Sequence, residues 1–199
     1  MGDQSRWGLF LGGDTNALSA IFLDYHDDLF NYGMKLSGNE DIVKDSIQDL
    51  FLKLWKNRNN LSTVKIIKPY LLKSLRHHIL DSLELCKPLQ SIQNDNDSAF
   101  QVEYSHEDFL INNHVNEEMR LKVISALNKL TPRQREAIYL RFFENLDFET
   151  IAQIMEMNVQ SVRNILHRAI QLMRDLLLLP FFVIMLETAV NTEICSIIA

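Results

Sequence analysis

Apolar side chains recur every three or four residues along most of this 199-residue chain, a regularity that leaves little besides helix for it to form. No stretch alternates between apolar and polar residues for long enough to indicate a strand. Apolar residues make up 47% of the chain, which excludes a disordered protein. The predicted fold class is all-α, with helices at 14–36, 40–57, 67–85, 114–130, 132–144, 148–155 and 159–178.

The helical pattern is interrupted at residues 88–113, where Asn, Asp, Ser and Gln predominate. Charge divides at the same place. Residues 52–87 carry eight bases and two acids, whereas residues 90–118 carry seven acids and neither Lys nor Arg. These shifts predict two helical domains, at 1–87 and 114–178, joined by an acidic linker at 88–113 and followed by an apolar tail at 179–199.

The composition excludes several classes of function. A net charge of −6 argues against a protein that coats nucleic acid indiscriminately. Cys86 and Cys195 lie far apart without a partner motif, and the adjacent His77 and His78 cannot chelate one ion together on a helix. Since the chain also lacks a Gly-rich phosphate loop and a recognisable nucleophile motif, we expect no cofactor, metal, catalytic residue or small-molecule substrate. The N-terminus shows no secretion signal, so a cytoplasmic location is expected.

The segment 146–174 has the order of a helix-turn-helix motif: a short helix, a break at "EMN" and a second helix. Thr131 and Gln134 predict a capping box for the helix before it, and Asp147 and Asn158 predict N-caps for the two helices of the motif. Glu156 occupies the turn, where glycine is the easier residue.

The second helix of the motif has two distinct faces. At about 100° per residue, one face is apolar: Val159, Val162, Leu166, Ala169 and Met173. The opposite face and its flank form what we call the recognition face: Gln160, Ser161, Arg163, Asn164, His167 and Arg168. Amides and guanidinium groups bind base edges and phosphates, and a helix fits the major groove. The alternative is an ordinary solvated face.

The helix at 40–57 predicts a protein-docking patch. It buries Val43, Ile47, Leu50, Phe51 and Leu54, which places Asp45, Gln48, Asp49 and Leu52 opposite. A leucine among acids and an amide suits a protein partner, although isolated exposed leucines are common.

The helix at 67–85 predicts a different surface. Tyr70, Lys73 and His77 lie away from its apolar face, with Arg76 nearer the core edge, and the loop before it offers Asn59 and Asn60. Aromatic rings among cations suit single-stranded nucleic acid, because rings stack on unpaired bases while cations meet phosphates. A solvated face with snorkelling side chains remains the alternative.

Four blocks in order resemble the extracytoplasmic-function (ECF) sigma factors of RNA polymerase. "RWGLFLGGDTNALSAIFLDYHDDLFNYG" resembles the opening helix of that family, "VKDSIQDLFLKLW" its polymerase-binding helix, and "YLLKSLRHHILDSL" its promoter-melting helix. "LTPRQREAIYLRFFENLDFETIAQIMEMNVQSVRNILHRA" resembles its reader of the upstream promoter element.

The resemblance implies a role for each surface. Asp45, Gln48, Asp49, Leu52 and Trp55 would bind the coiled coil of the largest polymerase subunit. The −10 element would be opened and held by Asn59, Asn60, Tyr70, Lys73, Arg76 and His77. The recognition face would read the −35 element. Implied partners are core RNA polymerase, promoter DNA and an anti-sigma factor, and the protein itself would not be an enzyme.

Two matters stay open at this point. A helix-turn-helix transcription regulator with an N-terminal partner-binding domain is the alternative function. The apolar run 176–186 is too short, and too interrupted by Pro180, to span a bilayer. We expect it to be covered, by folding back on the second domain and restraining it, or by a partner.

Overall fold

A computed structural model of the protein describes residues 2–85, Phe100 and residues 117–177, with the backbone alone for Leu85, residues 117–120 and Leu177. The described residues form helices and no strand, so the fold is all-α as predicted. The helices are α1 (Asp3–Leu11), α2 (Thr15–Ser37), α3 (Glu40–Asn57), α4 (Ile67–Leu85), α5 (Glu117–Asn128), α6 (Pro132–Ile138), α7 (Phe148–Ile154) and α8 (Val159–Leu177).

The chain divides into two compact units, Met1–Gln101 with α1–α4 and Val102–Ala199 with α5–α8. Each predicted helix is present, with boundaries within three residues of those expected from the spacing. The sequence pattern missed α1. This helix has only nine residues and is followed by two glycines, so its buried Trp7 and Phe10 do not repeat often enough to indicate a period.

Helices α2, α3 and α4 pack against one another in the first unit, and α1 packs on α2 and α4. The close approach of the three helices depends on Gly33. A Cβ atom there would lie 2.8 Å from Val43 Cγ1 and 3.2 Å from Ile79 Cδ1, so the three backbones could not come together around a larger residue. The core is apolar and closed: Ile21, Leu29, Tyr32, Leu36, Val43, Leu50, Leu72, Leu75 and Ile79.

Local capping accounts for two helix starts in this unit. Asp14 accepts a hydrogen bond from the Asn16 N–H at 2.8 Å at the start of α2. Asn39 accepts from the N–H groups of Asp41 and Ile42 at the start of α3. Each side chain satisfies backbone donors that a helix cannot satisfy itself, which fixes where the helix begins.

In the second unit, α8 packs on α5, α6 and α7. Helix α6 begins with the predicted capping box: the Thr131 N–H donates to Gln134 Oε1 at 2.9 Å, and the Gln134 N–H donates to Thr131 Oγ1 at 3.4 Å. The predicted helix at 132–144 is not uniform, because a π-helical turn, Tyr139–Phe143, replaces its last turn. In this region the Arg141 guanidinium donates to the Leu146 carbonyl at 2.8 Å, which ties the turn to the start of α7.

Within residues 2–85 and 117–177, no helix has the length and hydropathy needed to cross a membrane. The same residues contain no cluster of His, Cys, Asp and Glu able to hold a metal ion. The hypothesis about the apolar tail concerns residues that lie, from residue 178 onward, outside the described part of the chain.

Candidate nucleic-acid interface

Helices α7 and α8 form the helix-turn-helix, and both predicted N-caps are present. Asp147 Oδ1 accepts from the Thr150 N–H at 2.7 Å, and Asn158 Oδ1 accepts from the Ser161 N–H at 2.7 Å. Hydrogen bonds from the Thr150 side chain and backbone lower the pKa of Asp147 below its usual value. The carboxylate at the start of α7 is therefore charged at neutral pH.

The turn between the two helices is tight. Glu156 has a φ of +55°, in the left-handed region, and the Met157 N–H donates to the Ala152 carbonyl at 2.9 Å. This bond pattern is a Schellman motif, whose left-handed position glycine fills at the lowest cost. The expectation that Glu156 is the harder residue at this position is therefore confirmed.

The recognition face is presented on the outside of α8. Val162, Leu166, Ala169 and Met173 are buried and Val159 is half-buried, while the polar members of the opposite side are exposed apart from the half-buried Ser161. Gln160 Nε2 donates to Asn164 Oδ1 at 3.1 Å, one turn further along. This pair orients two amides in line along the face, as in side chains that read base edges.

Arg163 differs from its neighbours on α8, because it is held by α7. Its guanidinium lies 3.8 Å from a Glu149 carboxylate oxygen and 5.3 Å from the centre of the Phe148 ring. A second arginine contacts the same ring: the guanidinium carbon of Arg141 lies 4.8 Å from the Phe148 ring centre. Cation–π contact and the ion pair together set the position of Arg163 relative to both helices of the motif.

The predicted docking patch lies on the outer face of α3. Asp45, Gln48 and Asp49 are exposed, and Leu52 is 46% exposed. Beside it an open groove of about 560 Å³ runs between α2 and α3, lined by Phe22, Phe51, Gln48, Leu52 and the half-buried Trp55. The Arg58 guanidinium carbon lies 4.3 Å from the Trp55 ring centre. An exposed leucine at the rim of an aromatic groove is suited to receive apolar side chains of a partner.

Phe22 is the groove residue that sequence reasoning missed. It packs edge-on against Phe51 with ring centres 5.0 Å apart, and it is only half-buried. The sequence pattern of α2 does not show which neighbour Phe22 faces, whereas the packing of α2 on α3 shows that it lines the groove.

The surface predicted to meet single-stranded nucleic acid lies on α4 and the segment before it. Lys73 and His77 are exposed, and so are Asn59 and Asn60 in a short 3₁₀ turn. Tyr70 is half-buried, with its ring edge-on to Trp7 at 5.3 Å between centres. Arg76 is different: it is only 8% exposed. Four of the six predicted residues are therefore exposed, Tyr70 is half-buried and Arg76 is buried.

His78 lies beside this surface and carries no positive charge at neutral pH. Burial, and then the positive charge of Lys53, lowers the pKa of His78 below its usual value. Lys53 Nζ lies 3.3 Å from His78 Nδ1, a geometry in which the ammonium donates to a neutral ring. The positive charge here therefore comes from lysine.

Comparisons with known proteins match these two units separately. Residues 21–84 match the family model described as Sigma-70 region 2, and residues 120–173 match the model described as Sigma-70, region 4. Together the two matches cover more than half of the chain, in the order that the surfaces take along it.

The individual relatives are also sigma factors. RNA polymerase sigma factor SigV of Bacillus subtilis (strain 168) is 27% identical over 157 residues, which cover 79% of this chain and 89% of SigV. ECF RNA polymerase sigma factor SigM of the same organism is 20% identical and covers 80% of this chain and 94% of its own. The sigma factor RpoE of Bartonella quintana, solved in complex with the anti-sigma factor NepR, has a similar fold, with a TM-score of 0.57 and 20% identity over 81% of this chain and 97% of RpoE.

A helical unit that matches region 2, followed by a helix-turn-helix unit that matches region 4, defines a transcription factor of the sigma-70 class. Within that class, the chain belongs to the extracytoplasmic-function (ECF) RNA polymerase sigma factors.

Proposed function

We propose that this chain binds core RNA polymerase and directs it to promoters by reading two separate DNA elements. The observation that carries the proposal is the pair of family matches, one on each compact unit, with region 2 before region 4. A regulator with a single DNA-binding domain would need only the second unit. The two remaining surfaces on the first unit then have a use, one for polymerase and one for DNA.

The polymerase-binding role falls on the docking patch and the groove beside it. Leu52 and the aromatic wall of Phe22 and Phe51 offer apolar contact, while Gln48 and Asp49 offer hydrogen bonds at the rim. An apolar centre with a polar rim is the usual anatomy of a protein interface. We assign this surface to the coiled coil of the largest polymerase subunit, with Asp45 and Trp55 at its two ends along α3.

The −10 role falls on Asn59, Asn60, Tyr70, Lys73 and His77. Exposed amides suit base edges, the lysine suits phosphates, and the half-buried Tyr70 offers the exposed part of its ring for stacking. Arg76 is buried, so in this proposal it supports the surface from behind instead of contacting DNA as the sequence had suggested. The recognition face of α8 reads the −35 element in the major groove.

The same proposal covers partners and location. Sigma factors do no covalent chemistry, so we assign no catalytic residue to the chain. Because RNA polymerase is cytoplasmic, the place of action is the cytoplasm. RpoE of Bartonella quintana is described with an anti-sigma factor, and we propose a partner of that class here, competing with polymerase for the groove between α2 and α3. We propose the tail as a restraint on the second unit.

A promoter selection tests the proposal. The full-length protein is mixed with bacterial core RNA polymerase and a DNA library in which each randomised upstream region is linked to its own barcode in the transcribed region, and the barcodes in the RNA products are sequenced. Two conserved elements at a fixed spacing, absent when either protein is omitted, are expected. Enrichment of a single element that binds the protein without polymerase would support the alternative regulator.

A further inference from the structure

Helix α4 begins without a capping side chain of its own. The residue before it, Ile66, has no side-chain oxygen that could cap the helix, and it is 61% exposed. Asp3, at the start of α1, fills this position from far away in the sequence: its Oδ2 accepts a hydrogen bond from the Ile67 N–H at 3.1 Å. A carboxylate at the first turn of a helix also interacts favourably with the helix dipole. The first helix of the chain therefore fixes where α4 begins.

Asp3 is itself held in place by α2. The Tyr25 hydroxyl lies 3.0 Å and 3.1 Å from the two Asp3 carboxylate oxygens and donates to the carboxylate. Burial, followed by this hydrogen bond, raises the pKa of Tyr25 to about 12, so the phenol stays a donor at physiological pH. An ion pair between Arg6 and Asp24 gives α1 a second attachment to α2.

Trp7, one turn further along α1, contacts the loop between the 3₁₀ turn and α4 near the start of that loop. Its Nε1–H donates to the Ser62 carbonyl at 3.1 Å, and its ring is almost fully buried against Phe10 and Tyr70. Trp7 thus binds a backbone atom inside the loop, the Ser62 carbonyl oxygen, and Asp3 binds one at the end of the loop, the Ile67 nitrogen. The side chains of Ser62 itself and of Thr63, which follows it, stay exposed.

We infer that Asp3 and Trp7 are positioning residues for promoter opening: they hold the loop 61–66 and the start of α4 so that Asn59, Asn60 and Lys73 face the unpaired −10 strand. The inference rests on the −10 role proposed for that surface. A loop held by its backbone can present its side chains outward in one arrangement, and binding then does not have to order it.

The test uses the full-length protein with core polymerase, on a promoter selected by the wild-type holoenzyme. The probe is the single-stranded non-template −10 segment of that promoter. Trp7→Phe keeps an aromatic ring in the core but removes the N–H donor together with part of the buried ring system. The lost hydrogen bond is expected to weaken strand binding about five-fold. Asp3→Ala is expected to weaken it at least as much, and Asp3→Asn, whose amide oxygen still accepts, to recover most of the loss.

The matched control is Asp24→Asn, which removes the charge from the ion pair with Arg6, the second attachment of α1 to α2, and leaves both loop contacts in place. It is expected to bind the strand as the wild type does. A double-mutant cycle with Asn59→Ala/Asn60→Ala separates positioning from general damage, since Trp7→Phe should cause little further loss once the two amides before the loop are gone.

Each outcome bears on one proposal. If Asn59→Ala/Asn60→Ala binds the strand normally, the −10 assignment of this surface is wrong, and the positioning role falls with it. If that variant is defective while Trp7→Phe and Asp3→Ala bind normally with melting temperatures close to the wild type, only the positioning role is overturned. Additive losses, or an equal loss in Asp24→Asn, would also overturn it.

Discussion

The Arg163 guanidinium lies 3.8 Å from the Glu149 carboxylate, so a cation of the recognition helix is paired with an acid of the helix before it. Both side chains are about half exposed, with 46% and 60% of the side-chain surface accessible. An exposed pair of this kind contributes roughly 0–1 kcal/mol to stability. We expect its larger effect to be on DNA binding, because Glu149 partly neutralises a cation that belongs to the proposed −35 surface.

Glu149→Gln should therefore tighten binding to duplex −35 DNA, by about two- to five-fold at low salt, with little change in melting temperature. Arg163→Gln should weaken the same binding. The control is Asp175→Asn, which changes the net charge by the same amount. Asp175 lies in the last turn of α8. Equal effects of the two acid substitutions would mean that only net charge matters and that Arg163 has no local role.

Gln48→Ala with Leu52→Lys should weaken binding to core polymerase by about 2–4 kcal/mol, because a hydrogen bond is lost and a charge is buried at the interface. The helix content and melting temperature should stay close to the wild type, since both residues are exposed. Leu23→Lys is the matched control: Leu23 is 75% exposed on α2 and does not line the groove. Titration of labelled polymerase measures both, and unchanged affinity in the double variant would remove the docking assignment.

The two DNA surfaces should fail differently. Arg168→Ala should lose about 1–3 kcal/mol of affinity for duplex −35 DNA if it contacts a base. Lys73→Gln should spare that duplex and weaken binding to the single-stranded −10 segment, with a smaller salt dependence because one phosphate contact is gone. Lys129→Gln, in the turn that follows α5, controls for the loss of a cation elsewhere. A Lys73→Gln protein that binds the −10 strand normally would leave α4 without its proposed role.

Asp147 should make the second unit sensitive to acid. Its pKa is lowered in the folded state, so the stabilisation is present above the ordinary value of 3.8 and is lost as the pH falls through the lowered value. Asp147→Asn keeps an oxygen acceptor for the Thr150 N–H but cannot titrate. Thermal unfolding should show the wild type more stable at pH 7, by about 0.3–1 kcal/mol from the helix dipole, and the difference should disappear once the pH has fallen below the lowered pKa of Asp147. A constant difference across this range would mean that the charge of Asp147 is not involved.

The features that the sequence predicted correctly are those that depend on residues close together in the chain. The capping box at Thr131, the caps Asp147 and Asn158 and the buried face of α8 all depend on residues within a turn or two of each other. The contacts of α1 do not, since Trp7 and Ser62 are 55 positions apart and Asp3 and Ile67 are 64 apart. Periodicity indicates which face of a helix is apolar, but no local pattern shows that a distant carboxylate will cap it.

Arg76 illustrates the same limit within one helix. Its position between the two faces of α4 predicted a residue at the core edge, and the neighbouring cations suggested a DNA contact. Packing of the surrounding helices leaves it 8% exposed. The angle around one helix cannot decide such a borderline position, because the neighbours that cover it come from other parts of the chain.

Run-off transcription tests the central claim most directly. Bacterial core polymerase, the selected promoter and the full-length protein are combined, and RNA from the fixed start site is measured beside Gln48→Ala/Leu52→Lys, Arg168→Ala and a no-protein sample. We predict full yield of specific RNA only with the wild-type protein and a markedly lower yield with the docking variant. The yield with Arg168→Ala should also be lower than with the wild type, and this difference should disappear when the −35 element is scrambled. Specific RNA at equal yield without the protein, or no specific RNA with it, would contradict its identity as a promoter-directing sigma factor.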